Sequence, residues 1–149
     1  MPAEQRSLLL VKPDGVTLGI TPAVLDAVRD RGARAWLAGT LRLDRELVDL
    51  WYPEIRDEPQ YRETVEFLVS GPLHLIGVSA VDAFALTRAV KREWRSAYGS
   101  VVQRGLLHCP DGPVDFAHEW ALFAPLADGT APPPAGPPVF PWHQTIAAR

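Results

Sequence analysis

Only one cysteine, Cys109, stands in the 149 residues, which excludes an internal disulfide framework. No apolar run approaches the roughly 20 residues that cross a bilayer or the pattern of a signal peptide, and Leu8 to Val11 is far too short. An excess of basic charge is missing too. The formal net charge is -3 and the pI about 5.8, so the footprint of a duplex nucleic-acid binder is absent. There is no glycine-rich phosphate loop ending in a Lys-Ser/Thr pair, and no internal repeat. No cluster of carboxylates or histidines has the spacing of a metal site made by protein alone. The expectation from these absences is a soluble, cytoplasmic protein.

What the chain does have is apolar material: 47% of its residues are hydrophobic, enough for the core of one domain. It also has fifteen prolines, unevenly spread, with Ala131 to Pro141 reading APPPAGPPVFP. Consecutive prolines favour an extended polyproline II path and cannot join a helix interior. The folded domain is therefore expected over residues 1–125, with a proline-rich tail over 126–149.

Ser7 to Lys12 is a short apolar run closed by Pro13-Asp14-Gly15, which reads as a buried strand and a turn. Thr21 as N-cap and Pro22 as first helical residue open a helix with Val24, Leu25 and Val28 on its apolar face, stopped at Gly32. Ala33 to Leu43 alternates, with Ala35, Leu37, Gly39, Leu41 and Leu43 on one packed side. Asp44 caps a short helix through Trp51, and a second helix follows Pro59 with Tyr61, Val65 and Leu68 on one stripe. Pro72 to Ser79 is the third strand. Asp82 to about Arg95 is helical, with Leu86, Val90 and Trp94 stepping by four. Val101 to Leu107 is the last strand, and Asp111 and Pro113 open a helix carrying Asp115 and Glu119 one turn apart. This order predicts an α+β fold, a ferredoxin-like βαββαβ core with helices on one face of an antiparallel sheet.

Three segments carry a resemblance: LLLVKPDGV at Leu8 to Val16, a Leu-x4-Tyr followed by EFLVSGPL within Leu47 to Leu73, and RGLLHCPDG from Arg104 with Glu119 eleven residues after the histidine. Each is weak alone. Together, in this order, they make residues 6–124 similar to the nucleoside diphosphate kinase family. That resemblance implies transfer of a terminal phosphoryl group from a nucleoside triphosphate to a nucleoside diphosphate, through a histidine that carries the group between them. Mg²⁺ would arrive with the nucleotide phosphates, and the partners would be nucleotides and further copies of the chain, a homodimer first, with neither nucleic acid nor membrane.

Residue by residue, the resemblance makes His108 the nucleophile, which needs a neutral imidazole with its other nitrogen held by an acceptor. Glu119 matches the orienting carboxylate, and Asp111 a position just after the nucleophile, where it would also cap the next helix. Lys12 is expected on the phosphates, Tyr52 beside the lysine and histidine, and Tyr61 as the aromatic that stacks on the base. Arg95 and Tyr98 fall on an Arg-x-x-Phe segment, with Arg95 on phosphate oxygens. Arg88 or Arg92 would replace a second phosphate arginine. The other histidines read differently: His74 as a core or interface residue, His118 on a helix face, His143 in the tail.

The chain departs from the family pattern in three places. A loop of about a dozen residues between Leu86 and Arg95, with its phosphate-binding threonine, is missing. Gly105 replaces an asparagine that contacts the ribose, and Cys109-Pro110 replaces a Gly-Ser pair beside the nucleophile. Two alternatives to a working kinase stay open on the sequence. One is a catalytically impaired nucleotide-binding or scaffold paralogue. The other is an interaction protein whose tail docks on an aromatic-lined domain.

Overall fold

The computed structural model describes residues 3–98 and 105–127. A four-stranded antiparallel sheet forms its centre, in the order β2-β3-β1-β4. The strands are β1 (Gln5–Val11), β2 (Arg34–Leu41), β3 (Leu73–Ala80) and β4 (Leu107–His108). Six helices connect and cover them: α1 (Pro13–Leu18), α2 (Thr21–Arg29), α3 (Arg45–Trp51), α4 (Tyr61–Leu68), α5 (Ala83–Tyr98) and α6 (Pro113–Phe123). The strand order and the β1-α2-β2-β3-α5-β4 path are the expected ferredoxin-like core. No described helix is long and apolar enough to cross a membrane.

The helices cover both faces of the sheet, not one. Leu9 and Val11 of β1 pack with α2 and α5 through Val24, Leu25, Val28, Leu86 and Val90. Leu8 and Leu10 point the other way, into Trp36, Val48, Trp51, Val65, Leu68 and Phe123, under α3, α4 and α6. This is why β1 reads as an unbroken apolar run: a strand buried on both faces has no polar side. Lys12 follows at the point where the strand leaves the core.

The alternation read along β2 also breaks. Ala35 and Leu37 pack on the α2–α5 side, but Ala38, Leu41 and Leu43 join Trp36 on the opposite side. A bulge between Leu37 and Gly39, with Gly39 at φ 152°, adds one residue and so reverses which face each later side chain meets.

Two expected caps are not made. The N-cap of α2 is Ile20, and the Thr21 hydroxyl instead lies 2.6 Å from His74 Nδ1. The N-cap of α6 is Gly112, with no side-chain bond from Asp111. Asp44 does cap α3, accepting from the Leu47 N–H at 2.9 Å. The Pro13-Asp14-Gly15 turn is the first turn of α1. The fourth strand is shorter than expected, since Gly105 and Leu106 stand outside it and residues 101–104 lie outside the described set. The described fold runs to Ala127, which is buried; the rest of the tail, with His143, lies outside the described residues.

Trp36 rests directly on Gly77, its cross-strand partner; a Cβ there would fall 2.1 Å from the indole Cζ2. Gly77→Ala should therefore cost about 1–3 kcal/mol by overpacking. A lowered urea midpoint at unchanged m-value is the expected observation.

Candidate active site

Local backbone geometry places the central histidine. Leu106 is fully buried and has φ 70°, a conformation costly to a branched side chain. Its neighbours close a γ-turn around it, with the Leu107 N–H donating to the Gly105 carbonyl at 3.0 Å. Asp14 holds this turn from α1: its two carboxylate oxygens accept from the Leu106 N–H at 2.9 and 3.1 Å. The Lys12 N–H donates to the Leu106 carbonyl at 2.8 Å. One residue further the chain pairs with β1, Leu10 opposite His108, so the imidazole lands on the α3–α6 face.

His108 meets both of its expected neighbours there. Nε2 lies 2.7 Å from Glu119 Oε1 on α6, and Nδ1 lies 3.2 Å from the Tyr52 hydroxyl at the end of α3. Trp51 sets its ring against the imidazole edge-on, centroids 4.8 Å apart, and stacks on Tyr52 at 4.3 Å. Burial pulls the His108 pKa below 6.5, partly countered by Glu119 and reinforced by the positive charges of Lys12 and Lys91. The neutral imidazole therefore dominates at pH 7. With Glu119 accepting at Nε2, its proton sits on Nε2 and its lone pair on Nδ1.

Nδ1 faces a cleft of about 380 Å³. Lys12, Lys91 and Arg95 line it, together with Glu54, Asp111 and Asp115. Burial first, then Arg95, lowers the Lys12 pKa to about 8. Tyr52 is pushed far above its ordinary value by burial and by the negative charge of Glu119, so its hydroxyl stays protonated. Arg95, in the last turn of α5, donates to the Gly105 and Leu107 carbonyls at 3.4 and 3.2 Å, which ties the helix to the histidine's strand. A second pocket of about 190 Å³ opens behind Lys12 and Tyr52, walled by Ile55, Phe67 and Leu68 with Gln60 and Thr64.

Of the residues singled out in the sequence, Lys12, Tyr52, Arg95, His108, Asp111 and Glu119 converge on one cleft. Tyr61 does not line it. Its hydroxyl is bonded to Asp49 and Arg45 sits over its ring at 5.6 Å, while Gln60 lines the neighbouring pocket. Tyr98 stacks on Trp94 in the core, centroids 6.2 Å apart. Arg88 and Arg92 lie outside the cleft on the same helix, Arg88 donating to the Asp111 carbonyl at 3.0 Å. Gly105 is fixed by its surroundings: a Cβ there would lie 1.6 Å from Asp14 Oδ2. His74 faces Thr21, away from the cleft, and His118 Nε2 lies 3.1 Å from the Leu50 carbonyl at its rim. Lys91 and Trp51 were missed in the sequence. Lys91 precedes Arg95 by four residues, a helical spacing that could have revealed it.

A neutral imidazole anchored at Nε2 shares its cleft with Lys12, Lys91 and Arg95, an arrangement suited to an anionic electrophile. On an α+β ferredoxin-like sheet, that defines a phosphotransferase. The family model described as nucleoside diphosphate kinase matches residues 5–128. The nucleoside diphosphate kinase of Frankia alni is 32% identical over 131 residues, 81% of this chain and 96% of the relative. The crystal structure of the Aquifex aeolicus enzyme superposes with a TM-score of 0.70 at 25% identity, over 80% of this chain and 94% of that one. The Halobacterium salinarum enzyme, solved in complex with CDP, gives 0.67 at 27% identity, over 80% and 87%. The chain belongs to the nucleoside diphosphate kinase family of enzymes, and nucleotide phosphotransfer is its general chemistry.

Glu119 raises the His108 pKa against the effect of burial. Glu119→Gln should consequently lower it further, read from the imidazole ¹H and ¹⁵N shifts across a pH titration. An unchanged or raised value would mean that the carboxylate does not set this proton.

Proposed function

We propose that the chain moves a terminal phosphoryl group from a nucleoside triphosphate to a nucleoside diphosphate, with His108 Nδ1 carrying it between the two. The observation that carries this is the 2.7 Å contact between Nε2 and Glu119, which leaves Nδ1 as the nucleophilic nitrogen in a cleft that Lys12, Lys91 and Arg95 also line. Glu119 holds the ring and stabilises the positive charge that grows on it as Nδ1 attacks. Tyr52 hydrogen-bonds Nδ1 at rest and turns its hydroxyl to a phosphoryl oxygen once the lone pair is used. Lys12, Lys91 and Arg95 neutralise the oxygens of the transferred group, where in a water-poor cleft such charges count for most. The second half-reaction runs the same steps backwards onto a diphosphate.

The donor set suits a magnesium ion that travels with the nucleotide. Among the described residues no group of three or more His, Cys, Asp or Glu converges to hold a metal. Carboxylates of Glu54, Asp111 and Asp115 nevertheless line the cleft that would receive the phosphates, and hard oxygens are what magnesium takes. Its contribution there is charge neutralisation across the phosphate chain. The base would lie toward the pocket of Ile55, Phe67 and Leu68, with the polar Gln60 at its wall where Tyr61 was expected.

Incubation with γ-³²P-labelled ATP and Mg²⁺ should label the protein with an acid-labile, base-stable phosphate. His108→Ala should lose that label entirely; label that survives the substitution would overturn the assignment.

The pH dependence follows from two shifted groups. Because the His108 pKa is lowered, the neutral nucleophile persists on acidification to below 6.5. Because Lys12 sits near 8, its positive charge is lost on the alkaline side through that value. Second-order rates of phosphoenzyme formation should trace a bell with its alkaline limb near pH 8. Lys12→Arg, which cannot deprotonate there, should move that limb upward.

A further inference from the structure

Four cations stand in eight consecutive positions of α5: Arg88, Lys91, Arg92 and Arg95. Their spacing of three, four and seven residues puts them on one face of the helix, opposite Leu86 and Val90 in the core. In a chain of net charge -3 this is a local concentration against the overall sign. Among the described residues no ion pair neutralises any of the four; Glu93, on the same helix, pairs with Arg31. Together with Ser96 they line a groove of about 530 Å³. Lys91 and Arg95 line both this groove and the cleft of His108, so the two adjoin at these side chains.

From Arg95 back to Arg88 the stripe covers about 10 Å of helix, at 1.5 Å per residue. Its inner end, Lys91 and Arg95, shares the cleft with His108, where the proposed reaction puts the phosphates of a nucleotide. Arg88 and Arg92 continue the row outward, beyond the cleft. A ligand that uses the whole row is anionic along its length and presents its end to His108. Among the described residues the groove carries no aromatic side chain on which a base could stack, which is the means by which single-stranded nucleic acids are gripped.

We propose that this groove binds linear inorganic polyphosphate, and that the polymer's terminal phosphoryl group is a second donor to His108. The inference rests on His108 being the phosphate carrier. In the step, the Nδ1 lone pair attacks the terminal phosphorus and an N–P bond forms. The P–O bond to the next unit breaks, and its electron pair stays on the oxygen of a chain shortened by one phosphate. Transfer onto a nucleoside diphosphate then regenerates the histidine. Forked guanidinium contacts from Arg88 and Arg92 hold the chain behind its reacting end.

The test compares two donors on the full chain with Mg²⁺: ³²P-labelled inorganic polyphosphate and γ-³²P-labelled ATP. Polyphosphate should give acid-labile label that His108→Ala abolishes. In Arg88→Gln/Arg92→Gln the ratio of polyphosphate-driven to ATP-driven labelling should fall at least tenfold, and Arg88→Lys/Arg92→Lys should restore part of it. Labelling by ATP alone would overturn the inference and leave the histidine reading standing. Labelling by neither donor would sink both. A ratio unmoved by the double substitution would remove the groove from the path. Displacement of polyphosphate by an equal phosphate concentration of single-stranded RNA would show an indiscriminate polyanion surface, contrary to the proposal.

Discussion

The site depends on a carboxylate that does no chemistry. Asp14 grips the Leu106 N–H and thereby holds a fully buried leucine at φ 70°, two residues before His108. Left to itself, a branched residue in such a region costs on the order of 1–3 kcal/mol. Here the cost is offset by charge-assisted hydrogen bonds and by the Lys12 N–H on the Leu106 carbonyl. The same contacts join the segment that ends in Lys12 to the segment that ends in His108, so these two side chains are positioned by one local structure. The carboxylate also fills the space beside Gly105. A side chain at 105 and the present orientation of Asp14 exclude each other, which accounts for glycine where relatives were expected to carry asparagine.

Around that frame the electrostatics are a balance between burial and charge. Lys12 and His108 are both pushed toward their neutral forms by desolvation and by positive neighbours. For a nucleophile this is an advantage, since only the neutral ring has a lone pair to give. In the proposed role of Lys12 it is a cost, which an arriving phosphate chain would remove by supplying the missing negative charge. Glu119, nearly buried behind the ring, keeps the imidazole from being so poor a base that it could not carry positive charge in the transition state.

Much of this was legible in the sequence because it rests on short-range rules. The buried run of β1, the Asp44 cap and the helical spacing of Leu86, Val90 and Trp94 follow from hydrophobic patterning and capping, whereas the covering of both sheet faces was not foreseen. The pairing of His108 with Glu119 was implied by the family resemblance, and the contact is made. The failures are where tertiary packing decides. A one-residue bulge at Ala38 turns Leu41 to the other face, and its one local signal, Gly39 inside the strand, was read as a member of the packed side. Thr21 prefers a histidine on β3 to the helix end it was expected to cap. Tyr61 has the right chemistry for a base, yet Arg45 and Asp49 hold it away. Lys91 was overlooked because its role needs α5 to lie along the cleft, a matter of how helix meets sheet.

Trp51 gives the site one more property. Its ring edge stands against His108, its face lies on Tyr52, and Phe123 closes the far side at 4.9 Å. Its indole N–H is buried with no hydrogen-bond partner among the described residues. Indole emission follows the electric field across the ring. A phosphoryl group brings nearly two negative charges at neutral pH. In the proposed reaction, a chromophore locked this close to His108 would turn each change in the ring's covalent state into a change of light, an optical record of turnover without any added label.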